Sequence, residues 1–172
     1  MNALILREWT AEDLDIFSDI HAHPEVAKYI GPGRPRTREE SLARMHLTLN
    51  HYEAHGFGMW AADSRESGQM IGRCGLQPLG DDIEIGWTFA REAWGRGYAT
   101  EAARAVLEFA FQHASLERIV AVAVKENTAS INIMWKLGMT FDSFVEIGGR
   151  DAVKYVVSPK RPVPLSVGKH PI

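Results

Sequence analysis

Trp94-Gly95-Arg96-Gly97-Tyr98-Ala99-Thr100-Glu101-Ala102 decides how this chain is read, because two glycines open a helical segment directly after a strongly alternating strand. Backbone N–H groups at the start of a helix have no intrahelical partner, and the helix dipole favours negative charge there. Glycine lets an anion approach the main chain closely. Arg96 adds a cation at the same spot. Neither better-known phosphate loop fits. No Gly-Lys-Ser or Gly-Lys-Thr follows the glycines, and a dinucleotide fingerprint needs three glycines at wider spacing near the start of a βαβ unit. The plain alternative is a strand-to-helix turn that uses glycine for backbone freedom alone.

The flanking sequence favours the anion site. Upstream, Ile83, Ile85, Trp87 and Phe89 alternate with Glu84, Gly86 and Thr88, which predicts a strand with one apolar face and places Glu84 on the other. Downstream, Ala99, Ala102, Ala103, Val106 and Ala110 recur at helical spacing, so a small-residue face can lie close against a sheet. The continuous run Ile119–Val124 predicts a buried, parallel strand. Asn127 is placed to cap a short helix carrying Ile131, Met134 and Trp135, and Gly138 to end it.

This order of motifs resembles the GNAT superfamily of acyl-CoA N-acyltransferases, on the Gly-Arg-Gly-Tyr-Ala turn, the apolar strand, Asn127-Thr128-Ala129-Ser130 and Lys136-Leu137-Gly138-Met139. The RimJ/RimL-like branch is the nearest, since Leu6-Arg7-Glu8-Trp9-Thr10, Asp13 and His23-Pro24-Glu25-Val26 also resemble its opening. The likeness runs from about residue 4 to about residue 157. It implies a mixed α/β fold: a mostly antiparallel central sheet, a splayed strand pair forming the acyl-CoA cleft, and helices on both faces. The family pattern Gln/Arg-x-x-Gly-x-Gly/Ala is met at Gly97 and Ala99, with Trp94 departing at its first position.

The resemblance further implies acetyl-CoA as co-substrate and direct transfer to a primary amine. Trp87, Thr88 and Phe89 would meet the pantetheine arm, and Trp94, Gly95, Arg96, Gly97, Tyr98, Ala99 and Thr100 the pyrophosphate. Asn127, Ser130 and Lys136 complete the expected cofactor contacts, with Arg91 a further phosphate candidate whose default reading is a solvated cation. Glu84 is the candidate base, against a solvated or ion-paired strand residue; Asp81 and Asp82 read as turn residues. The acid position is open. A Tyr usual four residues before the last glycine is Met134 here, leaving Ser130, with local hydrogen bonding as its alternative. His51, Tyr52 and Trp60, with Glu84, are the candidate acceptor contacts, against a plain packing role. Three functions follow: acetylation of a protein N-terminal amine, acetylation of a small amine such as a polyamine, amino acid or antibiotic, or CoA sensing without turnover.

Composition fits one enzyme-sized domain of 172 residues, 45% apolar and 24% charged. A net charge of −3 argues against a general nucleic-acid binder. The single cysteine, Cys74, excludes an internal disulfide and reads as a small core residue in a cytoplasmic protein. Neither a membrane span nor a signal peptide is expected, and the seven histidines have no ligand spacing, so no metal is expected. The coarse pass predicts a strand at Leu4–Arg7, a helix at Glu12–Ile20, one or two helical segments over Thr37–His55, and a hairpin of Phe57–Ala62 with Met70–Leu76. Thr140–Ile147 and Ala152–Val157 are expected to form a second hairpin, and an exposed strand edge in the C-terminal half is expected to offer a surface for a homodimer. The domain is assigned to residues 1–158 and a Pro-rich tail to 159–172.

Overall fold

The computed structural model describes residues 3–159; the expected tail from residue 160 onward lies outside them. The strands are β1 (Leu4–Arg7), β2 (Met59–Ser64), β3 (Met70–Leu79), β4 (Asp82–Phe89), β5 (Ile119–Val124), β6 (Thr140–Ile147) and β7 (Arg150–Val157). The helices are α1 (Asp13–Ala22), α2 (Pro24–Ala27), α3 (Arg38–His55), α4 (Tyr98–Gln112) and α5 (Thr128–Lys136). One seven-stranded sheet has the order β1-β2-β3-β4-β5-β7-β6. Its neighbours are antiparallel apart from β4 and β5, which run parallel.

Alternation divides the core into two layers. On β2, Ala62 joins the cluster with Cys74, Leu76, Ile85, Phe89 and the α4 residues Ala102, Ala103, Val106 and Ala110. Its neighbour Ala61 joins Trp9, Phe17, Met45 and Met70 in a second cluster. Successive strand residues face opposite ways, so α4 covers one face of the sheet and α1 with α3 the other. Ala102, Ala103 and Ala110 of α4 are almost completely buried, which lets the helix lie close to β3 and β4.

The opening motif ties β1 to this second layer. Arg7 donates to both carboxylate oxygens of Asp13, at 2.8 and 2.7 Å, and to Asp63 at 2.6 Å. Trp9 Nε1 donates to the Met59 carbonyl at 2.6 Å.

Several boundaries differ from the sequence reading. Residues 37–55 give one helix, opened by a Thr37–Glu40 capping box and closed by Gly56 in the left-handed region. β3 runs on from the expected Leu76 to Leu79, and Asp82 opens β4 rather than sitting in the turn, where it pairs with Arg118 at 3.0 Å and Lys154 at 3.2 Å. β2 starts at Met59, two residues after Phe57. The short α2 and a 3₁₀ turn at Arg91–Ala93 went unpredicted, each being a single turn without helical periodicity. Among the described residues no helix is long and apolar enough to cross a membrane.

Candidate active site

The site begins where β4 and β5 part. Glu84↔Val120 is their register pair, and beyond it the strands diverge although each keeps its other neighbour, β3 for β4 and β7 for β5. The facing edges of residues 85–89 and 121–124 therefore open into cavities instead of pairing. One, of about 340 Å³, lies toward α4; the other, of about 410 Å³, lies over Glu84. They meet at the splay, sharing Tyr29, Ile30, Trp87, Thr88, Asn127 and Ser130 as walls.

The first cavity ends on the Gly-Arg-Gly turn. Gly95 and Gly97 have φ of +75° and +84°, values that disfavour any side chain, and a Cβ at either would meet nothing within 4 Å. Gly97 caps α4 without a side-chain hydrogen bond, and the first intrahelical donor is the Glu101 N–H, 3.0 Å from the Gly97 carbonyl. The N–H groups of Tyr98, Ala99 and Thr100 precede that first bond, on residues that line the cavity. The turn therefore leaves three main-chain donors without an intrahelical partner at this end of the cavity. Trp94 also has a structural use: its indole donates to the Phe89 carbonyl at 2.9 Å, on the last residue of β4, and its ring lies 4.8 Å from the Arg91 guanidinium.

Glu84 lies on the face opposite Ile85, beside Gln77, its cross-strand neighbour. Gln77 Nε2 donates to Glu84 Oε2 at 2.7 Å, while Gln77 Oε1 accepts from Arg44 of α3. Burial pushes the Glu84 carboxyl above the ordinary carboxylate range, against the lowering pull of Gln77, Arg44 and Arg73. A carboxyl so placed ionises nearer neutrality than a solvated one, which suits a base.

At the other end of the splay, Asn127 Oδ1 accepts from the Ser130 N–H at 3.1 Å, so the expected cap forms on a residue that lines both cavities. The Trp87 indole donates to Ser130 Oγ at 3.3 Å, leaving the hydroxyl hydrogen free to be donated elsewhere. Met134 is buried and lines the cavity over Glu84.

Thus Glu84, Trp87, Thr88, Phe89, Trp94, Gly95, Gly97, Tyr98, Ala99, Thr100, Asn127, Ser130 and Lys136 all line the joined cavities. Five expected contacts, Arg91 among them, do not. The Arg96 side chain turns away to Glu66, at 3.0 Å, and to the Tyr98 ring. His51 packs on His55 and Phe57, and Tyr52 packs on Trp60, which itself meets Phe109 of α4. His51, Tyr52 and Trp60 form an aromatic group at the end of α3 that lines neither cavity, because Trp60 sits on the sheet face opposite Glu84, in register with the core residue Cys74. Arg91 is held by Glu25 at 2.8 Å.

The sequence reading missed Tyr29, Arg36, Arg44, Arg73 and Gln77, all walls of the cavity over Glu84. One signal was available: Arg73 interrupts the apolar run of β3. It is 6% exposed. His21 is equally buried; its Nδ1 bonds the Phe17 carbonyl at 2.9 Å, and burial beside Arg73, Arg36 and Arg44 pushes its pKa down to about 3.

The splayed parallel pair beside the start of α4 is a fold that the comparisons find among acetyltransferases. Residues 3–140 match the family model described as acetyltransferase (GNAT) domain, and the chain belongs to this family. It is 30% identical over 143 residues to the N-acetyltransferase YnaD of Bacillus subtilis, covering 82% of this chain and 81% of that protein. An acetyltransferase structure from Agrobacterium tumefaciens superposes with a TM-score of 0.79 at 28% identity, covering 91% of each chain. RimL, a ribosomal alpha-N-protein acetyltransferase in complex with coenzyme A, superposes with a TM-score of 0.77 at 14% identity, covering 92% of this chain and 95% of that one. The last likeness is one of fold alone.

Proposed function

We propose that this GNAT acetyltransferase transfers acetyl from acetyl-CoA to a primary amine by direct attack, with Glu84 as the base. The observation that carries this reading is the placing of Glu84 at the closed end of the splay, in the wall of one cavity that joins the other at Trp87, Thr88, Asn127 and Ser130. The free N–H groups of Tyr98, Ala99 and Thr100 suit a pyrophosphate, and the unpaired edge at Trp87–Phe89 suits an amide-bearing pantetheine arm. RimL, sharing the fold, was solved with coenzyme A.

In this reading Glu84 takes a proton from the acceptor ammonium. The amine nitrogen then bonds to the thioester carbonyl carbon, gives up its second proton to water, and the carbon–sulfur bond breaks as the amide forms, while Glu84 returns its proton to solvent. The sulfur leaves as thiolate and takes a proton from the Ser130 hydroxyl, which regains one from water. Holding both reactants in one splay supplies alignment, worth roughly 7–11 kcal/mol of barrier when geometry is good.

The resemblance of the opening to the RimJ/RimL-like branch speaks for a protein N-terminal amine as acceptor, and the cavity over Glu84 speaks for a small amine. Use of acetyl-CoA fits a cytoplasmic protein. A homodimer joined along the β6 edge, where Phe141 and Phe144 are exposed, belongs to the same reading and is measured by sedimentation velocity.

Thiol release from acetyl-CoA, measured against peptides, amino acids, polyamines and aminoglycosides with CoA binding followed by calorimetry, tests the proposal. Turnover with any amine supports it. CoA binding without turnover across the panel favours the sensor reading.

A further inference from the structure

The cavity over Glu84 is lined by three arginines and one carboxylate. Arg73 projects from β3 on the same face as Gln77, Arg44 from α3, and Arg36 from the loop before α3. Four of their buried nitrogens have no hydrogen-bond partner among the described residues: Nε and Nη1 of Arg73, Nε of Arg44 and Nη1 of Arg36. Surface arginines of this chain are paired differently, as Arg34 with Glu40, Arg38 with Asp15 and Arg118 with Asp82 show. Buried guanidinium donors without an acceptor are costly, and their fork geometry matches carboxylate and phosphate oxygens. Burial and the neighbouring Arg44 and Arg36 push the Arg73 pKa down to about 9, the mark of a cation short of counter-charge.

We infer that the amine acceptor is a small molecule carrying an oxyanion, a carboxylate or a phosphate, close to its amino group. The inference rests on the transferase reading above and names its substrate class. Glu84 receives the ammonium and the arginines receive the oxyanion, and Gln77, bonded to both Glu84 and Arg44, fixes the two ends relative to each other. A volume of about 410 Å³ lies in the small-molecule range, roughly 300–1,000 Å³. Glycine- and amino acid-like zwitterions and aminoalkyl phosphates fit this polarity. Polyamines, which bring only positive charge, do not, and a protein N-terminus has no α-carboxylate because that group is in a peptide bond.

The test compares matched pairs with CoA present: L-methionine against L-methioninamide, O-phosphoethanolamine against ethanolamine, together with spermidine and a C-terminally amidated tripeptide. Binding is read by calorimetry and turnover by thiol release. At least one anionic member should bind about tenfold more tightly than its neutral partner, and the pair that responds tells carboxylate from phosphate. Arg36→Gln, on a partly exposed loop residue, should raise KM for the anionic amine about tenfold with little change in kcat. Arg38→Gln, on the same stretch but outside the cavity, should leave KM unchanged.

Turnover of spermidine, methioninamide or the tripeptide as efficient as that of the anionic amines overturns the inference and leaves the transferase standing. Tight, Arg36-dependent binding of an anionic amine without turnover upholds the anion site and sinks the transferase reading. No binding by any anionic amine overturns the inference.

Discussion

Glu84 of β4 stands opposite Val120 of β5 at the point where the two parallel strands separate. The relationship fixes a carboxylate at the apex of an opening between two otherwise continuous halves of the sheet. Residues after Glu84 are held by β3 and residues after Val120 by β7, so the gap is kept open from both sides.

Glu84 as base predicts an acid limb in the pH–rate profile. Its carboxyl lies above the ordinary carboxylate range because it is buried, so activity rises with pH as it ionises, with a midpoint above about 4.3, the value of a free glutamate. Glu84→Gln should lower kcat by roughly 10²-fold or more at neutral pH, remove this limb, and leave CoA affinity unchanged by calorimetry. Full activity of the variant across the pH range would remove Glu84 from the mechanism.

Gly97 predicts a separation of binding from folding. Its φ of +84° costs a substituted residue on the order of 1–2 kcal/mol, and its missing Cβ faces open space in the cavity. Gly97→Trp should therefore fold, with a modest loss in thermal midpoint, yet lose CoA binding in calorimetry. An unaltered CoA affinity would move the pyrophosphate away from this turn.

Ser130 as proton donor to the leaving sulfur predicts that Ser130→Ala lowers kcat about tenfold or more while KM for acetyl-CoA changes little. The Asn127 cap on the Ser130 main-chain N–H is retained in this variant, so helix α5 stays in place. An unchanged kcat would mean that the thiolate departs without this hydroxyl, as the acidity of thiols permits.

His21 predicts acid sensitivity of the fold. Its pKa is held at about 3 by burial and by the nearby arginines, against about 6.5 for the unfolded chain. The unfolded state binds the extra proton between these values. His21 therefore contributes stability that is present above about pH 6.5 and lost as pH falls toward 3, on the order of a few kcal/mol in all. Denaturant midpoints measured from pH 7 to pH 4 should fall less steeply for His21→Gln, whose amide can donate to the same Phe17 carbonyl without titrating. Equal slopes for both proteins would contradict this account.

The strand period of residues 83–89, the small-residue face of α4, the Asn127 cap and the Gly95–Gly97 turn were legible in the sequence, because each is specified by residues near one another along the chain. Local periodicity decides which face a side chain takes, and positive φ decides where glycine must stand. The glycine turn and the helix start behind it could therefore be placed before any fold was known. What only the tertiary structure decided is the cavity over Glu84. Arg36, Arg44 and Arg73 come from a loop, a helix and a strand, and each has an ordinary local context. Their convergence depends on how α1 and α3 pack on β2 and β3, which brings Arg44 to Gln77. The same packing carried His51, Tyr52 and Trp60 into an aromatic group away from the site and drew the Arg96 side chain to Glu66. Such contacts are set by the balance of buried area and paired charge over the whole layer, a quantity that no short window of sequence contains.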